Sequence, residues 1–297
     1  MKFGVREICD VVFKAKTSGK LGNMDYVAGQ PVLYIDSAKT STMEGAATTV
    51  YAQGGKGNSR LIAWEGERTL TFTVEDALLS PIGFAILSGA GLMDAAEATP
   101  IYVHVSSMTH LGADGALDLV AADILKTGEV VDAKSPIFVM EMKDGSMVKK
   151  LEATLGEGNN TLTIEGLTDD SDVFVDFYVV RKSVATELTI DMENFAGYYY
   201  VEASTLFRLQ STGEDLPAEL IFPNVKVQSN FTFTMASTGD PSTFTFTMDA
   251  MPGYTRFDRN KKVLCAIQIM DDAAVANAAG VDSVDNLADP DEEYPLA

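Results

Sequence analysis

Two cysteines, two histidines and one tryptophan are all that these 297 residues offer of the side chains most used in redox, metal and sugar-stacking chemistry. Each shortage excludes something. Cys9 and Cys265 cannot build a disulfide framework, and neither lies in a Cys-x-x-Cys spacing, so two free, buried thiols in a reducing cytoplasm are expected. His104 and His110 flank Val-Ser-Ser-Met-Thr, and a metal pair there would need two more ligands that the neighbouring sequence does not offer. They read as ordinary polar side chains on a strand and a loop. Trp64, between Ala63 and Glu65 on a predicted strand, is expected in a core or at a subunit contact. No apolar run is long enough for a signal peptide or a membrane span, so synthesis in a cytoplasm and no membrane partner are expected.

Positive charge is scarce as well. Against 43 Asp+Glu there are 22 Lys+Arg, giving a net charge of -21 and an isoelectric point near 4.3. Such a chain repels phosphates, which argues against gripping or reading nucleic acid. At the carboxy-terminal end Asp271, Asp272, Asp282, Asp285, Asp289, Asp291, Glu292 and Glu293 occur without a Lys or Arg, and removing those eight leaves a net charge of -13, so the body is acidic too. A 46% hydrophobic share and a mean hydropathy of +0.06 still allow a sizeable core in one large or two ordinary domains.

Catalytic signatures are missing too. There is no Gly-x-Ser-x-Gly elbow, and Gly54-Gly55-Lys56-Gly57-Asn58 lacks the Ser/Thr ending and strand-to-helix setting of a phosphate loop, so it reads as a flexible loop. Asp169, Asp170 and Asp172 lack the Gly and distal Glu of a calcium loop and read as a solvated turn. No catalytic residue, cofactor or metal is assigned, and the chain is not expected to be an enzyme.

What the sequence does have is alternation. In FTFTM, Phe231, Phe233 and Met235 share one side of a strand while Thr232 and Thr234 take the other. The same five residues return as Phe244, Phe246 and Met248 against Thr245 and Thr247 after a turn-forming Ser-Thr-Gly-Asp-Pro-Ser, so a hairpin is predicted. Far upstream, Leu70, Phe72 and Val74 alternate with Thr69, Thr71 and Thr73. Three strands therefore share an uncharged threonine face backed by an apolar one.

The remaining signals give an order of parts. Residues 1–30 read as an arm or loop, Val32 to Ile35 as a strand, residues 38–58 as a Thr- and Gly-rich region, and Leu61 to Trp64 with Thr69 to Val74 as a strand pair turning at Glu65-Gly66-Glu67. One short helix is predicted after Asp76, with Ser80 as cap, Pro81 in its first turn and Gly89 and Gly91 as stops. From Pro100 to Lys182, short strands at Ile101–Val105, Leu117–Val120, Ile137–Met142, Thr161–Ile164 and Val173–Val180 suggest an inserted small β-sandwich. The first texture returns from Leu188, with strands at Leu188–Met192, Tyr198–Gln210, Ala218–Phe222 and Val263–Met270. The fold class is thus mainly β: a β-sandwich or partial barrel with one short helix over residues 1–99 and 183–270, an insertion over 100–182, and an acidic, flexible segment over 271–297.

The run LQSTGEDLPAELIFPNVKVQSNFTFTMASTGDPSTFTFTMDA, Leu209 to Ala250, resembles the carboxy-terminal half of the tail tube proteins of tailed bacteriophages. GERTLTFTVEDALLSPIGFAILSGAG, Gly66 to Gly91, is similar to the threonine-faced strand and short helix of the same proteins. The resemblance implies β-sandwich subunits that form homohexameric rings, stack into a tube, and join their strands into an inner barrel through which the genome passes. It implies a virion location, with a tape-measure protein and a sheath or terminator protein as further partners, and DNA passing without specific binding. Thr69, Thr71, Thr73, Thr232, Thr234, Thr245 and Thr247 are then the expected lumen residues. Leu70, Phe72, Val74, Phe231, Phe233, Phe244 and Phe246 are expected to pack inward against the helix. A capsid decoration protein or an extracellular adhesive sandwich is the alternative.

Overall fold

The structure, a computed structural model, describes residues 2–5, 7–111, 115–167, 171–235, 237–238 and 242–270. The predicted segment 271–297, the Gly239–Pro241 turn and the Asp169–Asp170 pair lie outside the described residues. Along the chain come β1 (Phe3–Val5), β2 (Asp10–Ala15), β3 (Gly19–Leu21), β4 (Met24–Tyr26), β5 (Pro31–Ile35), β6 (Ala38–Gly54) and β7 (Ser59–Asp76). The helix α1 (Pro81–Ser88) follows, then β8 (Gly91–Asp94), β9 (Ile101–Leu111), β10 (Ala116–Asp118), β11 (Phe138–Lys143), β12 (Ser146–Leu155), β13 (Thr161–Glu165) and β14 (Ser171–Arg181). The chain continues through β15 (Thr186–Thr189), β16 (Tyr198–Leu209), β17 (Asp215–Val227), β18 (Phe244–Ala250) and β19 (Ala266–Ile269).

The protein is mainly β, and it divides into two units. The first takes the amino-terminal stretch to Thr17, Val27–Leu79 and the chain from Gly197; the second takes Ser18–Tyr26 and Ser80–Ala196. The helix and the β8/β15 ladder accordingly fall in the second unit.

The first unit is one curled half-barrel sheet in the order β5-β2-β16-β17-β18-β7-β6, with β1 on β16 and β19 on β17. Its apolar residues recur at every second position, so one face collects Val11, Phe13, Phe72, Val74, Val225, Val227, Phe246 and Met248, all buried. Fully burying such a side chain is worth about 1.5–3 kcal/mol. The face closes ring on ring: Phe72 stacks on Phe222 at 4.9 Å, and Phe13 meets Phe246 at 5.9 Å.

Several expectations are corrected here. Residues 1–30, read as an arm, supply β2, which lies between β5 and β16 inside the sheet. Val11 and Phe13 give β2 the inward face that a pairing strand needs. The strand pair predicted around Glu65-Gly66-Glu67 is one continuous strand, β7, paired along its length with β6. The chain turns instead at the GGKGN loop, where Gly55 (φ 79°), Gly57 (φ 87°) and Asn58 (φ 49°) adopt left-handed backbone that glycine and asparagine tolerate. The predicted FTFTM hairpin does not form as drawn, because Phe231–Met235 is outside any strand and the place beside β18 is taken by β7.

The second unit is built on a six-stranded antiparallel sheet, β10-β13-β12-β11-β14-β9, around buried Leu119, Val139, Leu162, Val173, Val175 and Phe177. Its strand β12, missed in the sequence, has an exposed amino-terminal half that hides the alternation. In α1, Ser80 accepts the Gly83 amide at 2.9 Å as cap, Pro81 opens the first turn, and Gly89 closes it at φ 76°, donating its amide to Ala85. Phe195 and Ala196 crowd Gly89, where a Cβ would lie 2.3 Å from the Phe195 carbonyl carbon. The helix meets β8 and β15 of its own unit.

Candidate functional site

The outer face of β6, β7 and β18 is a wall of hydroxyls and carboxylates. Strand register puts Thr42, Thr73 and Thr247 in one row across the three strands, Glu44, Thr71 and Asp249 in the next, and Thr40, Glu75 and Thr245 in a third. These rows are the reverse side of Met43, Phe72 and Met248 and of Ser41, Val74 and Phe246. Burial of the phenylalanine face therefore fixes the threonines outward, and a shift of one residue would exchange the faces.

The carboxylates are tied into the wall. Asp249 accepts from the Thr71 hydroxyl at 3.3 Å and from the Gln228 amide at 2.9 Å. Glu75 accepts from the hydroxyls of Thr243 and Thr40, and the Thr243 bond, more than the Thr40 bond or nearby Lys39, holds its carboxyl below the usual range. Lys226 pairs in register with Asp249 and sits 5.2 Å over the Tyr198 ring.

Of the seven threonines expected on this face, Thr71, Thr73, Thr245 and Thr247 lie together in these rows and Thr69 continues β7 opposite Ala46. Thr232 and Thr234 are exposed but outside the ladder. Of the expected packing residues, Phe72, Val74 and Phe246 are buried, and Leu70, Phe231 and Phe244 are half-buried. Phe233 is 43% exposed, resting edge-on against Phe231 and Phe244 at 5.8 and 5.1 Å. Sequence reasoning missed Thr40, Thr42 and Glu44, whose Ala- and Gly-rich surroundings on β6 conceal the alternation.

Beyond the wall, β6 and β7 continue as a ribbon exposed on both faces. Cross-strand pairs Val50–Trp64 and Ala52–Ile62 leave Val50, Trp64 and Ile62 more than half exposed, and Arg60 stacks 4.1 Å over Tyr51. A two-stranded ribbon with apolar side chains in water is marginal by itself, and clustered exposed apolar groups mark an interface. Edge strand β6 adds a row of main-chain groups that no described strand pairs on its far side.

The two histidines lie on the second unit. His104 meets Asp176 at 3.0 Å and His110 meets Asp172 at 2.9 Å, each across the β9/β14 pair and each exposed. Among the described residues, no group of three or more His, Cys, Asp or Glu is placed to hold a metal. No helix among them is long and apolar enough to cross a membrane.

A half-barrel sheet with an apolar inner face, a threonine outer face and an exposed ribbon defines the class: a mainly β protein. The chain matches the YomU/Tube protein family over residues 5–262, and it belongs to that family, a phage-derived family of tube proteins. No curated protein matches it. That membership makes it a phage tube protein.

Proposed function

We propose that this chain is the repeating, non-catalytic subunit of a phage tail tube, closing with copies of itself into hexameric rings that stack around a channel for genomic DNA. The observation that carries the reading is the threonine wall, because a solvent-facing surface of hydroxyls and carboxylates backed by a buried phenylalanine face suits a wet channel. Hydroxyls stay hydrated, and Glu44, Glu75 and Asp249 repel phosphates, so DNA slides past without binding. Ring closure gives the open edges of β5 and β6 partners and removes the liability of an unpaired edge. The ribbon tip, with Val50, Ile62 and Trp64, supplies the apolar contact to the next copy. A tape-measure protein inside the channel and a terminator or sheath protein at its end or outside complete the assembly.

Electron microscopy of the purified chain at rising concentration, seeded with preformed tube fragments, tests this. Hollow rods of six-fold rings are expected; a small closed oligomer that never stacks, even when seeded, overturns the tube in favour of a decoration protein.

A further inference from the structure

A groove of about 570 Å3 opens in the first unit at the base of the β6–β7 ribbon. Ala46 and Leu70 line it from the ribbon, and Val263 and Leu264 line it from the segment leading into β19. Arg68, Lys261 and Lys262 add positive charge. This is the one strongly basic neighbourhood legible in a chain of net charge -21: Arg256, Arg259, Lys261 and Lys262 crowd the stretch RFDRNKK against a single Asp258. Among the described residues Arg68 has a loose, exposed contact with Glu65 at 3.8 Å, and Lys262 lies over the Tyr254 ring at 5.4 Å. Among the described residues, Lys261 and Lys262 make no ion pair with any carboxylate.

We propose that this groove binds an acidic, extended peptide, and that its occupant is the chain's own carboxy-terminal segment, residues 271–297. Charge selects it: the segment carries eight carboxylates and no Lys or Arg. Its pattern selects it further, since Val281, Val284 and Leu287 recur at every third position with Asp282, Asp285 and Asp289 between or after them. This mixture of apolar and acidic residues complements a groove whose floor holds Ala46, Leu70, Val263 and Leu264 and whose charged residues are Lys261, Lys262 and Arg68. Reach is no obstacle. The β19 strand, Ala266–Ile269, carries the chain only about 13 Å from the groove wall at Cys265, and the first few residues of the segment can cover that distance in return. Tethering raises the effective concentration of the segment to roughly millimolar, so a weak, salt-sensitive contact is populated in the isolated chain.

The docking does not rest on the tube reading.

Zero-length carbodiimide coupling of the dilute, full-length chain, mixed with an isotopically heavy preparation, tests the docking. Coupling of Lys261 or Lys262 to Asp282, Asp285 or Asp289 within one chain is expected to exceed that of any other lysine several-fold. It should be lost at about 0.5 M salt, where the screening length falls to roughly 4 Å. Equal coupling to Lys2, Lys20, Lys39 and Lys56 overturns the proposal, as does coupling of heavy to light chains. Because coupling is read on unassembled chain, its failure leaves the tube reading standing, and absence of tubes leaves the docking standing.

Discussion

Phe13 on β2 and Phe246 on β18 lie with ring centroids 5.9 Å apart although β16 and β17 run between their strands. Three inter-strand steps in a flat sheet would separate them by about 14 Å. The sheet therefore curls, and the contact measures the curl. Replacing either residue by Ala removes a side chain at or below 1% exposure, for an expected loss of about 3–5 kcal/mol. The double variant should lose less than the sum, because the two rings share one contact. Denaturant unfolding of the four chains checks this; strict additivity would mean that the rings do not support one another.

The ribbon tip should behave oppositely. Val50→Lys and Trp64→Lys alter side chains that are 64% and 53% exposed, so subunit stability should change by no more than about 1 kcal/mol. Self-association should weaken by about 2 kcal/mol or more if Trp64 anchors a neighbour. Sedimentation beside thermal unfolding separates the two effects, and unchanged association would remove the tip from the interface.

Glu75 provides a proton-linked reading of the wall. Its carboxyl is held down chiefly by the Thr243 hydroxyl, so the contribution is complete above the ordinary glutamate range and is lost as pH falls through the lowered folded value. Thr243→Val should move the Glu75 titration upward, followed by carboxyl NMR. A titration that stays in place would show that the hydroxyl bond does not persist in solution.

Glu219 runs the other way. Burial, then the nearby Glu202 carboxylate, push it up, while Lys14 opposes the shift from its ion pair with Glu202. A carboxyl raised in the folded state stabilises fully below the unfolded value and loses that contribution as pH rises through the folded one. Glu219→Gln should therefore raise the melting temperature at pH 8 relative to the parent and leave it nearly unchanged at pH 4. Equal shifts at both values would assign the effect to packing.

Gly89→Ala is expected to destabilise the second unit by more than about 1 kcal/mol, because φ is 76° and the added carbon meets the Phe195–Ala196 backbone within 2.6 Å. A melting curve that matches the parent would show that this helix end relaxes freely.

The face assignments were legible early because they are local. Phe72 and Val74 had to oppose Thr71 and Thr73 whatever strands came next, and the Ser80–Pro81 start and Gly89 stop of α1 needed only neighbouring residues. Partner choice was not local. The repeat FTFTM suggested its own twin as neighbour, yet Phe244–Asp249 pairs with β7, whose Phe72 and Val74 are buried at 1% and 0% while Phe233 stays 43% exposed. Thr42 and Glu44 joined the wall only through register with β7, and the basic stretch at Lys261–Lys262 lines a groove only because the fold places it beside Ala46 and Leu70.

By itself, then, the sequence determined the mainly β class, the acidic charge and which side chains share a strand face, since period-two alternation and formal charge are properties of the chain. Tertiary structure alone decided the strand order, the curl that joins Phe13 to Phe246, and the reach of the β6–β7 ribbon. Those depend on which distant apolar faces bury most area together, a competition among segments that no single segment records.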